Sequence, residues 1–309
     1  NAKIVDVRPE RIRASLAAGH VPVVGGAQGV STENDVTFLG RGGSDTTAVA
    51  LAHALGADVC ELYTDVSGVF TTDPRVVPGA RKMERISFDE LLEMTATGCP
   101  KPAMRSVEYA RTHRVRLHVR SAFTWETGTL VLEPDGPENP QEKDDMEQAI
   151  ISAVTHDTDE AKVTLAGVPD HPGIAARLLR ALAAGDVNVD MIVQNTSLEG
   201  HTDISFTVTM DETDRSLEIG RALLGELEAR DVTADREIGR VSVVGAGMKS
   251  HPGVAARVFE MLAEHGINIE MISTSAIRIS CVVRADQVEQ AVQVLHDGFQ
   301  LDRGPALVD

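Results

Sequence analysis

Residues Gly40–Ala48 read GRGGSDTTA, and the apolar run Val49-Ala50-Leu51-Ala52 follows directly. The pattern predicts a glycine turn that opens a helix. The first amides of a helix lack internal partners and sit at the positive end of its dipole. They make a natural anion site, and glycine lets the backbone come close to a bulky guest. Arg41 adds a planar fork of donors that suits phosphate or carboxylate. The expected guest is a phosphate group. The same residues can also form a plain capped turn between strand and helix, with Ser44 or Asp45 as N-cap. The neighbouring segments decide between these readings.

Upstream, Lys3–Val7 alternates like a strand. Pro9–Ala18 predicts a helix, with Ile12 and Leu16 on one face. Val21–Val24 predicts a short buried strand that ends at Gly25-Gly26. Downstream, Asp58–Tyr63 predicts another apolar strand, which runs into Thr64-Asp65-Val66-Ser67-Gly68-Val69-Phe70-Thr71-Thr72-Asp73-Pro74-Arg75. Strands alternating with helices predict a parallel α/β sheet with ligands at the carboxyl ends of its strands. Both polar loops are expected on one such edge. In the second loop Asp65 and Asp73 can take ribose hydroxyls, a metal or a cation. Thr64, Thr71 and Thr72 offer hydroxyls, and Arg75 can reach a phosphate. The plainer reading of TTDPR is a proline turn with Asx capping. Two such loops together favour nucleotide binding.

Further on, Ser87-x-x-Glu90 is a capping box that starts a helix, with Asp89, Glu90 and Glu93 expected on a solvated face. Gly98–Pro102, GCPKP, is a break. A helix is expected over Arg105–His113, a strand over Val115–Val119 and a turn over Thr124–Gly128. His113 and His118 are expected at the surface, and Trp125 as a packing residue.

Composition narrows the class. A length of 309 residues calls for two or three domains, and a formal charge of -18 argues against a nucleic-acid partner. Cys60, Cys99 and Cys281 are too far apart for a disulfide framework or a metal spacing, so a reducing, cytoplasmic location is expected. No apolar run approaches a membrane span, and no signal peptide is visible. The chain opens at Asn1, directly before a strand-like segment, and a preceding segment is expected.

GRGGSDTTA, YTDVSGVFTTDPR and RSVEYA, in this order, resemble the aspartate kinases of the amino-acid kinase family. The resemblance implies transfer of the γ-phosphoryl of MgATP to the side-chain carboxylate of L-aspartate. The product is 4-phospho-L-aspartate, at the first step of lysine, threonine and methionine biosynthesis. Arg41, Ser44 and Asp45 would then serve catalysis, with Gly42 and Gly43 at the phosphates. Thr64 and Asp65 would line the nucleoside pocket, and Phe70, Thr71, Thr72, Asp73, Pro74 and Arg75 would run along the ATP. Mg2+ would arrive with the nucleotide rather than on a protein metal site. Two departures stand out. The family's N-terminal lysine-glycine-glycine phosphate loop has no counterpart here. Where the family reads Gly-Ser/Ala-Lys, this chain reads Gly98-Cys99-Pro100, with Lys101 one place later as the candidate ATP contact. The 309-residue chain alone is therefore expected to be inactive as a kinase.

Glu133–Asp145 reads as a linker, and beyond it the chain repeats itself. Val163–Arg177 matches Val243–Arg257 around His171-Pro172-Gly173 and His251-Pro252-Gly253, and Val187–Ile192 matches Ile267–Ile272 at the same offset. Each copy predicts strand, turn, amphipathic helix and strand. Alternation over Thr202–Thr209 and Ile277–Val283 adds a further strand, and helices are expected near Ser216–Ala229 and Asp286–Gly298. This suggests a ferredoxin-like layout. Pro-Gly before a helix exposes amides for a small carboxylate. Asn188 with Asp190, and Asn268 with Glu270, share a strand face and can hold an ammonium group. The alternative is that these residues cap the turn and pair two modules across an interface.

The repeats resemble ACT domains, the regulatory modules of many aspartate kinases. The expected architecture is thus α/β: the C-terminal half of an amino-acid kinase domain with a mostly parallel sheet, then two ferredoxin-like βαββαβ ACT modules. The expected bounds are 1–143, 144–236 and 237–309, with a strand near Ala149–Val154 serving the second module. The resemblance implies feedback by lysine, threonine or both. Effector positions in the first copy would be Asp170, His171, Pro172, Gly173, Ile174 and Ala175, with Asn188, Val189, Asp190 and Gln194. In the second they would be Ala255, Ala256, Ile269, Glu270, Ala276 and Ile277. Ala276 stands where relatives often carry Glu. A homo- or hetero-oligomer paired through the ACT modules is expected. The alternatives are another amino-acid kinase, such as a glutamate 5-kinase or uridylate kinase relative, and a non-catalytic amino-acid-binding regulatory subunit.

Overall fold

The structure is a computed structural model that describes residues 2–133, 151–195 and 200–303. The linker expected over Glu133–Asp145 lies, past Glu133, outside the described residues. In the first part, helix α1 (Glu10–Ala17) precedes a two-stranded antiparallel ribbon, β1 (Gln28–Val30) and β2 (Val36–Phe38). Then come α2 (Gly43–Leu55), β3 (Cys60–Thr64), β4 (Arg85–Ser87), α3 (Phe88–Ala96), α4 (Met104–His113), β5 (Leu117–Ser121) and β6 (Thr129–Leu132). The sheet order is β3-β5-β6-β4. β3 runs parallel to β5 and β4 to β6, while β5 and β6 are antiparallel. That exception has a simple cause: β5 and β6 are joined by the short turn around 124–128, which can only connect antiparallel neighbours. The core joins Leu62, Leu117, Val119 and Val131 of the sheet to Val49, Leu91, Met94 and Val107 of the helices.

Several local expectations are corrected. Residues 3–7 and 21–24 are irregular, with Val5 92% and Val23 96% exposed. A strand needs a partner for its N–H and C=O groups, and among the described residues neither run has one. Trp125 is 95% exposed and packs against nothing in the core. His113 is not a plain surface residue but stacks on Tyr109, ring centroids 4.1 Å apart. His118 accepts from the Gly128 amide through Nε2 and faces Glu61 with Nδ1.

β7 (Ala153–Asp157) precedes the first repeat, which contains β8 (Glu160–Pro169), α5 (Ile174–Ala184), β9 (Ile192–Gln194), β10 (His201–Thr209), α6 (Thr213–Leu223) and β11 (Asp231–Asp235). The second repeat contains β12 (Ile238–Val244), α7 (Val254–Glu264), β13 (Met271–Thr274), β14 (Arg278–Arg284) and α8 (Val288–Gly298). The two antiparallel sheets have orders β11-β8-β10-β9 and β7-β12-β14-β13. β7 therefore fills in the second sheet the place that β11 fills in the first. Each helix after a His-Pro-Gly turn is capped by glycine in the left-handed region, Gly173 at φ 101° and Gly253 at φ 106°. Open space surrounds both, so glycine is favoured there by backbone conformation, not by crowding.

Candidate functional site

Gly42 is the N-cap of α2, at φ 71°, so neither Ser44 nor Asp45 has the capping position. A Cβ on Gly42 would lie 2.4 Å from the Ala103 Cβ. The close approach of 103 to the glycine turn thus requires glycine. Asp45 Oδ2 accepts from the Ala103 amide at 3.2 Å. Arg41 and Ser44 are exposed at the helix mouth. The turn follows β2 of the ribbon, not a strand of the main sheet, so the two loops do not share one sheet edge as expected.

They meet by another route. Thr64 ends β3, and its hydroxyl bonds the amide and carbonyl of Val66. Asp65 then pairs with Lys101 Nζ at 2.5 Å. The Lys101 ammonium holds the Asp65 carboxyl below the usual carboxylate range. Residues 98–103, with a cis Lys101–Pro102 bond, therefore touch the second loop at Asp65 and the first at Gly42 and Asp45. Cys99 in this segment has its thiol pushed up to about 11 by burial, and remains a neutral thiol rather than a nucleophile.

The rest of the second loop is a tight excursion. Phe70 bridges to Lys82, and the Thr71 amide donates to Arg81 O at 2.9 Å. Thr71 and Thr72 are buried, so their hydroxyls are not offered to solvent as expected. Asp73 caps the turn by accepting from the Arg75 amide at 2.8 Å. The Arg75 guanidinium folds back on that carboxylate, Nη2 to Oδ2 at 2.7 Å, and hydrogen bonding from Arg75 holds Asp73 below the carboxylate range. The pair is exposed on its Arg75 side and weak, so a phosphate can redirect the arginine. Pro74 sits inside this turn.

In the two repeats, Asp170, His171, Pro172 and Gly173 are exposed at the turn before α5, and Gln194 is exposed on β9. Ile174 is 2% exposed and belongs to the core of the first repeat; Ala175 and Val189 are half-buried beside it. In the second repeat Ala256 and Ala276 are exposed, with Ala255, Ile269 and Ile277 half-buried. Asn188 and Asp190 do alternate outward, but in an irregular segment ahead of β9, and Asn188 donates its amide to Glu212. The two acidic positions hold protein cations. Asp190 pairs with Arg240 of β12, and Glu270 pairs with Lys162 of β8. Each repeat thus reaches across to the central strand of the other. Arg284 adds a second contact to Glu270 at 3.1 Å. Burial raises the Glu270 pKa, but Lys162 and Arg284 outweigh it and the net shift is downward.

No local pattern signals what surrounds Arg240. Its side chain is 2% exposed; it pairs with Glu160 at 2.7 Å and donates to Ala96 O at 3.2 Å, at the end of α3. Nor was the role of α3 foreseen. Glu90 binds Ser152 Oγ at 2.5 Å and the Ala246 amide at 3.3 Å, while Glu93 binds Ser275 Oγ at 2.8 Å and Arg278 at 3.0 Å. These two carboxylates dock the first part of the chain on the second repeat instead of facing water. Asp89 alone behaves as expected, pairing with Arg111 at the surface. Such contacts join residues more than sixty positions apart, and no local pattern encodes them.

The arrangement is that of a glycine-capped helix mouth, an adjoining polar loop and two repeated α/β folds. The amino acid kinase family profile matches residues 1–121, and an ACT domain profile matches residues 163–219 and 241–299. An aspartokinase of Mycolicibacterium smegmatis is 52% identical over 304 residues, covering 97% of this chain and 71% of that protein. Among solved structures, E. coli aspartokinase III with aspartate and ADP aligns at TM-score 0.72 and 28% identity, over 89% of this chain and 60% of that one. The same enzyme with lysine and aspartate aligns at TM-score 0.65 and 30% identity, over 88% and 58%. The two profiles, with half of the residues identical along nearly all of its length, mean that the chain belongs to the aspartokinases.

Proposed function

We propose that the kinase part binds MgATP and L-aspartate and makes 4-phospho-L-aspartate. A side-chain carboxylate oxygen of aspartate attacks the γ-phosphorus, the bond to the β,γ-bridging oxygen breaks, and ADP leaves. Arg41 and the amides of Gly42 and Ser44 at the α2 N-terminus neutralise charge on the transferring group, the main need of such a reaction. Asp65, Lys101 and Arg75 hold the nucleotide. Mg2+ travels with the phosphates. The ACT modules take lysine or threonine and set the activity. An effector ammonium that reaches Asp190 or Glu270 displaces Arg240 or Lys162, so binding and module pairing compete. The observation that carries this reading is the convergence of both loops on residues 98–103. In the active enzyme, Arg41→Ala is expected to cut turnover about 10²–10³-fold, as for loss of one oxyanion donor. Aspartyl-phosphate trapping at saturating substrates measures it, and near-normal turnover defeats the assignment.

A further inference from the structure

The candidate nucleotide loop is built on the second ACT module. Thr71 O accepts from the Val154 amide of β7 at 2.8 Å, and Val76 O accepts from Gln293 of α8 at 3.2 Å. Val77 lies in the same apolar core as Val292, Leu295 and Phe299. Between these anchors, Thr71 Oγ1 lies 3.0 Å from His296 Nε2, both residues fully buried. The Thr71 hydroxyl accepts from the Arg81 amide at 3.0 Å. Assigning its own proton to His296 Nε2 makes the imidazole the neutral Nδ1–H tautomer. Burial favours that neutral form by lowering the histidine pKa. The bond spans 225 positions of sequence and crosses from α8 into the base of the loop that carries Asp73 and Arg75.

We propose that His296 is a positioning residue for the nucleotide: acting through Thr71, it fixes the loop 70–81 in the form that receives ATP. This rests on the reading of residues 64–75 as the nucleotide loop. A buried hydroxyl that loses its partner either stays unsatisfied or turns, and turning gives up the Arg81 amide. The loop therefore loosens at Thr71 when His296 loses its acceptor, although neither residue touches solvent.

MgATP and L-aspartate titrations of the full 309-residue chain test this, alongside amide hydrogen exchange. His296→Leu is expected to weaken MgATP on the order of tenfold, to leave aspartate affinity within about twofold, and to speed exchange at residues 71 and 81. His296→Gln, whose side-chain oxygen can reach the position of Nε2, is expected to restore MgATP affinity to within about threefold. In a Thr71→Val background, His296→Leu should add nothing further. A purely structural histidine would lower thermal stability with MgATP affinity unchanged in the folded protein; that outcome overturns the proposal. Equal losses for MgATP and aspartate, or failure of glutamine to rescue, overturn it as well. The underlying reading fails separately: if wild type binds MgATP but Asp65→Ala and Arg75→Ala bind it equally well, residues 64–75 are not the nucleotide loop; if wild type does not bind it at all, this chain has no nucleotide site for His296 to position and the proposal is overturned.

Discussion

Arg240 brings one positive charge to a place almost closed to water, and three carboxylates surround it. Glu160 lies at 2.7 Å, Asp157 at 3.9 Å, and Asp190 pairs from the other repeat. One guanidinium cannot neutralise three anions in a medium of low dielectric. Glu160, 5% exposed, is the group that takes up a proton: burial pushes its pKa up to about 7 from 4.5, against the pull of Arg240. Between those values the folded chain holds a proton that the unfolded chain has released. The stabilising contribution of this group is therefore present below 4.5 and is lost as the pH rises through about 7. Glu160→Gln is permanently neutral and removes that slope. Its thermal midpoint is expected to fall less than that of wild type between about pH 5 and pH 8. Parallel curves for the two proteins would place the proton elsewhere.

At the scale of elements, the break Gly98–Pro102 is where the kinase part meets β7. Gly98 has φ 114°, and a Cβ there would lie 1.8 Å from His156 O, a backbone atom that cannot turn aside. Gly98→Ala is expected to destabilise by about 1–3 kcal/mol, through overpacking and left-handed strain together. Denaturant unfolding checks it, and a change below about 0.5 kcal/mol, the range of ordinary surface substitutions, would mean that this contact does not hold the parts together. The break itself was legible from GCPKP, because proline and glycine carry their conformational limits with them. So were the capping box at Ser87 and Glu90, which forms in full, and the repeat, whose helices α5 and α7 lie 80 positions apart, Ile174 against Val254. The glycine turn and the Asx turn of Asp73 were legible for the same local reason. Strands at 3–7 and 21–24 were misread because alternation signals a half-buried strand only when a partner lies alongside. The two loops were expected together on one sheet edge, but the route by which they meet was not legible, since it depends on Lys101 reaching Asp65 across 36 positions.

In the whole molecule, α3 is held by the regulatory modules at several points. Glu90 and Glu93 fasten it to the second module, Ala96 O receives Arg240, and Thr97 Oγ1 bonds Thr155 Oγ1 at 2.6 Å. Its end runs straight into the segment whose Lys101 grips Asp65. Ser275 and Arg278, the partners of Glu93, flank Ala276 and Ile277, the candidate effector contacts of the second module. An effector that shifts 275–278 is expected to pull on α3, and α3 on the candidate nucleotide loop through Lys101. Coupling of this kind is reciprocal and commonly amounts to about 1–3 kcal/mol, or roughly 5–150-fold in affinity. Glu93→Ala cuts the link without touching either proposed ligand. Lysine and threonine affinities measured without nucleotide are expected to stay within about threefold of wild type, while the change that a saturating effector makes in MgATP affinity should lose at least about half of its coupling free energy. Calorimetric titration of MgATP with and without each amino acid gives both quantities. If the effector-induced ratio is the same in Glu93→Ala as in wild type, the signal does not pass through this carboxylate, and the Arg240 contact with Ala96 becomes the route to test next.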